Sequence, residues 1–105
     1  MSVSVSKFYV GQVVCHNLFD YRGVIVDVDP SYQKDMAWYD RMARTRPPKD
    51  QPWYQILVHD SKSESYVAER NLRIDESQEP VKNPHLYKYF QSFAEGLYHR
   101  RIALH

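Results

Sequence analysis

The sequence is poor in cysteine and glycine and carries almost no charge excess. Its 105 residues include one cysteine, Cys15, and three glycines, and its formal net charge is +1. A single cysteine excludes an internal disulfide, so we expect a reducing, cytoplasmic compartment. Residues 1–7 lack the apolar segment of a signal peptide, and the apolar runs elsewhere are too short to span a bilayer. With 14 basic and 13 acidic residues, the composition gives little support to extensive neutralisation of nucleic-acid phosphates.

Aromatic residues, by contrast, are abundant. They make up 14% of the chain, and nine of them are tyrosines. Tyrosine combines a large apolar face with one polar group, so the surplus suits both a small core and a contact surface. The length fits one domain and leaves no room for two, and we therefore predict a single domain over residues 1–105.

Short β-branched segments dominate most of the chain and predict a mostly β fold. Their alternation and the turn residues between them indicate about five antiparallel strands, at residues 12–16, 22–29, 53–59, 64–68 and 71–74. In the second segment Val24, Val26 and Val28 are predicted to share one face, with Ile25 on the other. Closing these strands into a small barrel over about residues 7–75 would leave no exposed sheet edge.

The long connection at residues 31–52 is predicted to carry a short helix. Asp35 suits the N-cap of a helix at residues 36–44, and Pro47 and Pro48 forbid its continuation. A connection of this length in a small domain is more often functional than idle.

The C-terminal segment predicts an amphipathic helix over about residues 83–97. Asn83 and Pro84 suit its start, and Gly96 suits its end. Apolar residues follow at helical spacing, namely Leu86, Tyr89, Phe90, Phe93, Ala94 and Leu97. This stripe is expected to pack on the barrel, with docking to a partner or self-association as the alternatives.

Two tryptophans and four cations of the long connection are the candidate binding residues: Trp38, Arg41, Arg44, Arg46, Lys49 and Trp53. Arginine forks suit phosphates, and aromatic rings between them suit bases. An acidic protein partner is an alternative ligand. A merely solvated face is another alternative, since Asp35, Asp40 and Asp50 flank the run. Trp53 suits either an aromatic binding ledge or a core residue at the end of the barrel.

The sequence offers no recognisable set of catalytic residues. His16 with Tyr21 and Asp29 lacks an adjacent nucleophile, so we expect His16 to fix a turn. Cys15 lies within an apolar strand and is expected to be buried. No histidine pair has the spacing of a zinc site. We therefore predict a protein that is not an enzyme and uses no metal or cofactor.

Three blocks of the sequence resemble the HspQ/YccV-like (hemimethylated-DNA-binding) family. The first is Phe8-Tyr9-Val10-Gly11-Gln12 with His16, Tyr21-Arg22-Gly23-Val24-Ile25 and Asp29-Pro30. The second is Gln51-Pro52-Trp53-Tyr54 with Leu57-Val58 and Asp60, and the third is Tyr66-Val67-Ala68-Glu69 with Leu72. The C-terminal segment, with Asn83-Pro84, Tyr89-Phe90 and Phe93, is similar to the extension of a related domain in a eukaryotic F-box protein.

The resemblance implies an SH3-like barrel and a cytoplasmic binding protein. Bacterial members of the family are heat-shock proteins that bind hemimethylated DNA and that modulate the protease Lon or act as its specificity factor. A plant relative works with the Clp adaptor system. We therefore expect a non-enzymatic adaptor or modulator of ATP-dependent proteolysis in the heat-shock or quality-control response. Its partner would be a protease or a protease substrate.

The alternative function is DNA binding with a preference for hemimethylated duplex. Under either function we expect no association with membranes, and self-association stays open.

Overall fold

Short strands build most of the protein. The computed structural model describes residues 5–101, which contain seven strands, one α-helix and two 3₁₀ turns. The strands are β1 Val13–His16, β2 Arg22–Asp29, β3 Trp53–Val58, β4 Glu64–Ala68, β5 Leu72–Ile74, β6 Phe90–Ala94 and β7 Leu97–Arg100. The helix is α1 Met36–Met42, and the 3₁₀ turns are Glu69–Asn71 and Leu86–Lys88. No helix in this part of the chain is long and apolar enough to cross a membrane.

Five of the strands form one antiparallel sheet in the order β4-β3-β2-β1-β5, and β6 and β7 form a separate hairpin. The sequence predictions of these five strands are confirmed. The bounds of β2 and β4 agree with the prediction, while β1, β3 and β5 are each one residue shorter at one end. β-Branched and aromatic residues between turn signals were sufficient to locate them, because such side chains pack well on a pleated, partly buried surface.

The sheet curls around one of the three apolar clusters of the described residues. All five strands contribute to this cluster, through Val14, Ile25, Ile56, Val67 and Leu72. Because the two edge strands share a cluster with the central ones, the sheet must bend strongly. Its hydrogen-bonded ladder nevertheless ends at β4 and β5, which do not pair within residues 5–101. The closed barrel expected from the sequence is therefore not confirmed.

A bulge in β2 changes which face its side chains occupy. Val24 and Val26 share the second apolar cluster, as predicted. Val28 instead packs against the first cluster. The pairing of β2 with β3 shifts register between Ile25 and Asp27, and one extra residue reverses the alternation beyond it. The predicted common face of all three valines is therefore wrong at Val28.

The predicted C-terminal helix is wrong, because residues 83–97 form the 3₁₀ turn Leu86–Lys88 and most of the β6–β7 hairpin. Glu95 and Gly96 join the two strands with φ angles of 54° and 78°. Two consecutive positive φ angles are what a tight type I′ hairpin turn needs. Gly96 therefore closes a hairpin where helical spacing placed a helix end.

The second apolar cluster holds the hairpin against the sheet. Phe90 and Tyr98 pack there with Val13, Val24 and Leu57. Asn83 does not cap a helix either. Its side-chain amide donates to the carbonyl oxygens of Val58 and Ser63 at 3.0 and 3.2 Å. The amphipathic stripe therefore packs on its own domain, as expected, but as strands.

Candidate binding site

A cleft of about 370 Å³ opens between the β1–β2 loop and α1. We call it the aromatic cleft, and its apolar lining includes Leu18, Phe19, Trp38, Met42, Trp53 and Tyr66. The loop supplies the first two residues, α1 the next two, and β3 and β4 the last two. The cleft therefore brings together four parts of the chain that are far apart in the sequence.

A group of packed rings forms the aromatic surface of the cleft. The rings of Trp53 and Tyr66 are stacked with centroids 5.2 Å apart, and Trp38 meets Tyr66 edge-on at 5.6 Å. Tyr32 contacts Trp53 with a centroid distance of 5.0 Å. Trp53 is only 2% exposed, and its indole N–H donates to the carbonyl oxygen of Pro48 at 3.0 Å. Trp53 is thus a core residue that also lines the cleft, while Trp38 is half-buried.

The cap of α1 positions Trp38. The Asp35 carboxylate accepts a hydrogen bond from the Trp38 backbone N–H at 2.8 Å, which satisfies a free donor of the first turn. The predicted N-cap and start of the helix are confirmed, but the helix ends at Met42, two residues before the predicted end. The buried Tyr39 hydroxyl donates to the carbonyl oxygen of Pro47 at 2.7 Å, so the proline segment anchors the inner face of α1.

The predicted basic run divides into two pairs. Arg46 pairs with Asp40 at 3.0 Å, and its guanidinium carbon lies 4.5 Å from the centre of the Tyr39 ring. The Lys49 ammonium lies 4.3 Å from the same ring centre and donates to the Met36 sulfur. These two cations therefore cover Tyr39 and are not among the cleft residues.

The other two cations are available to a ligand. Arg44 lines the aromatic cleft, and Arg41 is exposed on α1. Among the residues that the structure describes, neither guanidinium group has a hydrogen-bond or ion-pair partner. Both retain their full capacity to pair with an anion.

Lys34 is a cleft residue that the sequence analysis missed. Its ammonium nitrogen lies 5.4 Å from the ring centre of Trp38 and 5.2 Å from that of Tyr66. Lys34 lies outside the basic run in the sequence, and Tyr66 reaches it only through the fold. Leu18 and Phe19 were also missed, although two large apolar residues in a predicted turn were an available signal. They are 55% and 69% exposed.

The titratable rings of the cleft are uncharged at neutral pH. Burial lowers the pKa of His16, whose Nδ1 accepts hydrogen bonds from the backbone N–H groups of Leu18 and Phe19 at 3.1 and 3.2 Å. His16 thus fixes the β1–β2 turn, as predicted. Burial, together with a hydrogen bond donated to the Asp29 carboxylate at 2.6 Å, raises the pKa of the Tyr66 hydroxyl. Asp29 is engaged with Tyr66 and not with His16.

The other candidate reactive groups have structural surroundings. Cys15 is 8% exposed within β1, and burial raises the pKa of its thiol, which disfavours the reactive thiolate. Within residues 5–101 no group of three or more histidine, cysteine, aspartate or glutamate side chains is placed to hold a metal ion. The cleft combines aromatic faces, two cations in its lining and uncharged titratable rings, a surface suited to binding.

Comparison with known protein families gives a match over most of the chain. A family described as "Hemimethylated DNA-binding protein YccV like" matches residues 6–97. The matched range contains every residue that lines the aromatic cleft.

Proposed function

Because the chain belongs to the YccV-like family of hemimethylated DNA-binding proteins, we propose that it is a non-enzymatic module that binds duplex DNA methylated on one strand. One observation carries the proposal beyond the family. Lys34 and Arg44 line the aromatic cleft, Arg41 is exposed on α1, and none of the three has an ion-pair partner among the described residues. Cations that contact phosphates, together with aromatic faces that contact bases, are the usual components of a nucleic-acid surface.

With a net charge of +1, phosphate binding depends on which charges near the cleft already have partners. The carboxylates closest to the cations in the chain already have partners. Asp35 caps α1, Asp40 pairs with Arg46, and Asp29 accepts from Tyr66. Glu64 lines the cleft but accepts a hydrogen bond from Gln55 at 2.7 Å. These hydrogen bonds orient the acids without removing their charge, and only Asp40 is neutralised by a cation. Phosphate binding would therefore depend on the direct reach of Lys34, Arg41 and Arg44 more than on a positive field of the whole surface.

The apolar lining supports recognition of a methyl group. A methyl group on a base offers no hydrogen bond, so a protein distinguishes it only through apolar contact. Burying one such group contributes about 0.8 kcal/mol, or about fourfold in affinity. We therefore expect hemimethylated duplex to bind at least about fourfold more tightly than unmethylated duplex.

Fluorescence anisotropy with labelled duplexes of one sequence tests the proposal. The duplexes are unmethylated, hemimethylated at adenine N6, or hemimethylated at cytosine C5, so that both kinds of DNA methylation are sampled. Trp38→Ala should remove the preference for one methylated duplex, whereas Tyr87→Ala, which alters an exposed tyrosine outside the cleft, should keep it. Equal affinity of the unaltered protein for all duplexes, or no binding, would contradict the proposal.

A second candidate function rests on the exposed apolar residues at the same cleft. Leu18, Phe19 and Met42 are 55%, 69% and 56% exposed and all line it. Such a patch is typical of a protein-binding surface. We infer from it, together with the family resemblance, an adaptor or modulator for ATP-dependent proteolysis of the Lon or Clp type, in the cytoplasmic heat-shock or quality-control response.

Pull-down with purified Lon or Clp components, combined with measurement of substrate degradation, tests this second function. Phe19→Ser should weaken binding, because it removes the most exposed aromatic ring of the cleft lining. The control is Tyr87→Ser, which removes a similarly exposed ring elsewhere. If the protein neither binds these components nor changes degradation, the adaptor function is excluded.

A further inference from the structure

The shape of the aromatic cleft restricts how it can contact DNA. Direct reading of a methyl group in an intact duplex requires an element that projects into the major groove, which is about 12 Å wide. The rings of Trp53 and Tyr66 do not project into a groove, because they line a concave space of about 370 Å³, whereas Phe19 in the same lining is 69% exposed. Trp53 is 2% exposed, and Tyr66 is held by its hydrogen bond to Asp29. A stacked base inside a duplex therefore cannot reach these rings.

The helix beside the cleft cannot replace them as a groove reader. α1 has only seven residues, which gives it a length of roughly 10 Å. Its inner face packs against the rest of the protein, since Tyr39 and Ala43, which follows the helix, are buried. Its exposed cation Arg41 suits phosphates better than a methyl group.

We propose that the aromatic cleft accepts a single methylated base turned out of the duplex, and that the base takes the place of the Lys34 ammonium beside Trp38 and Tyr66. Because the planes of these two rings are 77° apart, the base would stack on one ring and meet the other edge-on. This inference rests on the proposed DNA-binding function and specifies how that function reads the methyl group. Enzymes that act on bases use the same solution when their pocket is too narrow for a duplex. Here the extruded base would be recognised without being altered.

Lys34 marks where the base binds. Its ammonium group lies over both rings, so this position already holds a ligand that interacts with π faces. An exposed cation–π contact is worth roughly 2- to 5-fold in a binding equilibrium. Stacking of a base on an aromatic ring is worth roughly 5- to 150-fold. Stacking therefore outweighs the cation–π contact that it replaces, and the ammonium group is then free to pair with a flanking phosphate. Phosphate contacts of Lys34 and Arg44 would have to offset the cost of unpairing the base.

One cleft reads one strand, and this has consequences for specificity. The cleft distinguishes hemimethylated from unmethylated duplex, but it does not detect the second methyl group. The cleft therefore accounts for a preference over unmethylated duplex, whereas a preference over fully methylated duplex has to come from contacts outside the cleft. Removing the opposite base should tighten binding about tenfold or more, because the pairing energy no longer has to be overcome.

The test uses the full chain and a hemimethylated duplex with 2-aminopurine next to the methylated base. Extrusion of the methylated base unstacks the 2-aminopurine, so its fluorescence should rise when the duplex is saturated with protein. A second duplex carries an abasic site opposite the methylated base and should bind more tightly. Trp38→Ala and Tyr66→Leu should lose both effects. Tyr66→Phe, which keeps the ring, should retain them, and so should Tyr87→Ala.

The outcomes separate this inference from the function on which it rests. If the protein prefers methylated duplex, but fluorescence is unchanged and the abasic site gives no gain, base extrusion is wrong and the DNA-binding function stands. If no duplex binds, both are wrong. Binding of a protease component that depends on Trp38, without any binding of DNA, would identify the cleft as a protein site and would also overturn the inference.

Discussion

The backbone N–H of Tyr98 donates a hydrogen bond to the carbonyl oxygen of Gly11 at 2.9 Å. Next to it, Gln12 forms an isolated antiparallel bridge with Leu97. These contacts join the β6–β7 hairpin to the start of β1, and the Tyr98 hydroxyl reinforces them by accepting from the Val81 N–H at 2.8 Å. The hairpin thereby covers the apolar face of the sheet that lies outside its curl.

Gly11→Ala should destabilise the protein by about 2–5 kcal/mol. Gly11 has a φ of 97°, and this backbone conformation costs a residue with a side chain roughly 1–2 kcal/mol. The new methyl group would also collide with the Tyr98 carbonyl oxygen, which adds about 1–3 kcal/mol. Urea unfolding measures the effect. Gly96→Asn is the control, because asparagine tolerates the positive φ of the hairpin turn. A loss below about 0.5 kcal/mol for Gly11→Ala would contradict this close approach.

The five strands of the main sheet could be predicted from the sequence because local and tertiary preferences agree there. In β2, for example, Val24 and Ile25 are β-branched and each is fully buried on its own face. The C-terminal hairpin could not be predicted. Leu86, Tyr89 and Phe90 have helical spacing, and the Glu95-Gly96 turn lacks the Asn-Gly or Asp-Gly signal of such hairpins. Tertiary packing of Phe90 and Tyr98 decided between the two structures.

The candidate site was predictable within the long connection and at Trp53, which directly follows it. The sequence analysis found Trp38 and Arg41 because they lie in one short helix, and Arg44 because it directly follows that helix. Tyr66 was not, since the pairing of β3 with β4 brings it beside Trp53. The sequence also could not show that Arg46 would form an ion pair with Asp40 and a cation–π contact with Tyr39, because those contacts depend on how the chain turns after α1.

Loss of the Tyr54 hydroxyl should cost about 2 kcal/mol of stability. In the core this hydroxyl donates to the buried Glu69 carboxylate at 2.6 Å and accepts from the Phe8 N–H at 3.2 Å. Hydrogen bonds to charged groups contribute about 1.5–3 kcal/mol each when their partner stays buried. Tyr54→Phe should therefore lower the urea midpoint strongly. Tyr89→Phe removes a longer, exposed bond to Glu64 and should have little effect; equal effects of the two changes would refute this assignment.

The stability of the protein should fall as the pH drops below about 6.5, and His16 should contribute to the fall. Burial lowers the pKa of His16 below its ordinary value of 6.5, so the unfolded chain binds a proton before the folded one does. The contribution of neutral His16 is complete above pH 6.5 and is lost as the pH falls through the folded pKa. Asp75 stays ionised in this range and does not add to the fall. Burial acts to raise its pKa, but hydrogen bonds from Ser77 and Arg22 outweigh burial and lower the pKa.

His16→Asn isolates this contribution. The amide oxygen of asparagine can still accept from the N–H groups of the β1–β2 turn but cannot titrate. Urea midpoints measured at pH 7.5 and 5.5 should therefore differ less for His16→Asn than for the unaltered protein. If both proteins show the same difference, His16 does not contribute to the pH dependence.

The affinity for DNA should depend on salt through Lys34, Arg41 and Arg44 but not through Arg46. Three phosphate contacts predict a slope of log K against log salt concentration of about −2.7, which corresponds to a loss of about 40-fold in affinity between 50 and 200 mM salt. Arg44→Gln should make the slope shallower by about 0.9. Arg46→Gln is the matched control, because Arg46 is paired with Asp40 and lies over Tyr39, so the slope should not change. Anisotropy titrations at four salt concentrations measure both slopes. If Arg46→Gln changes the slope as much as Arg44→Gln does, the DNA phosphates lie along the outer face of Tyr39 and not at the aromatic cleft. The cleft then cannot be the site that binds the methylated base.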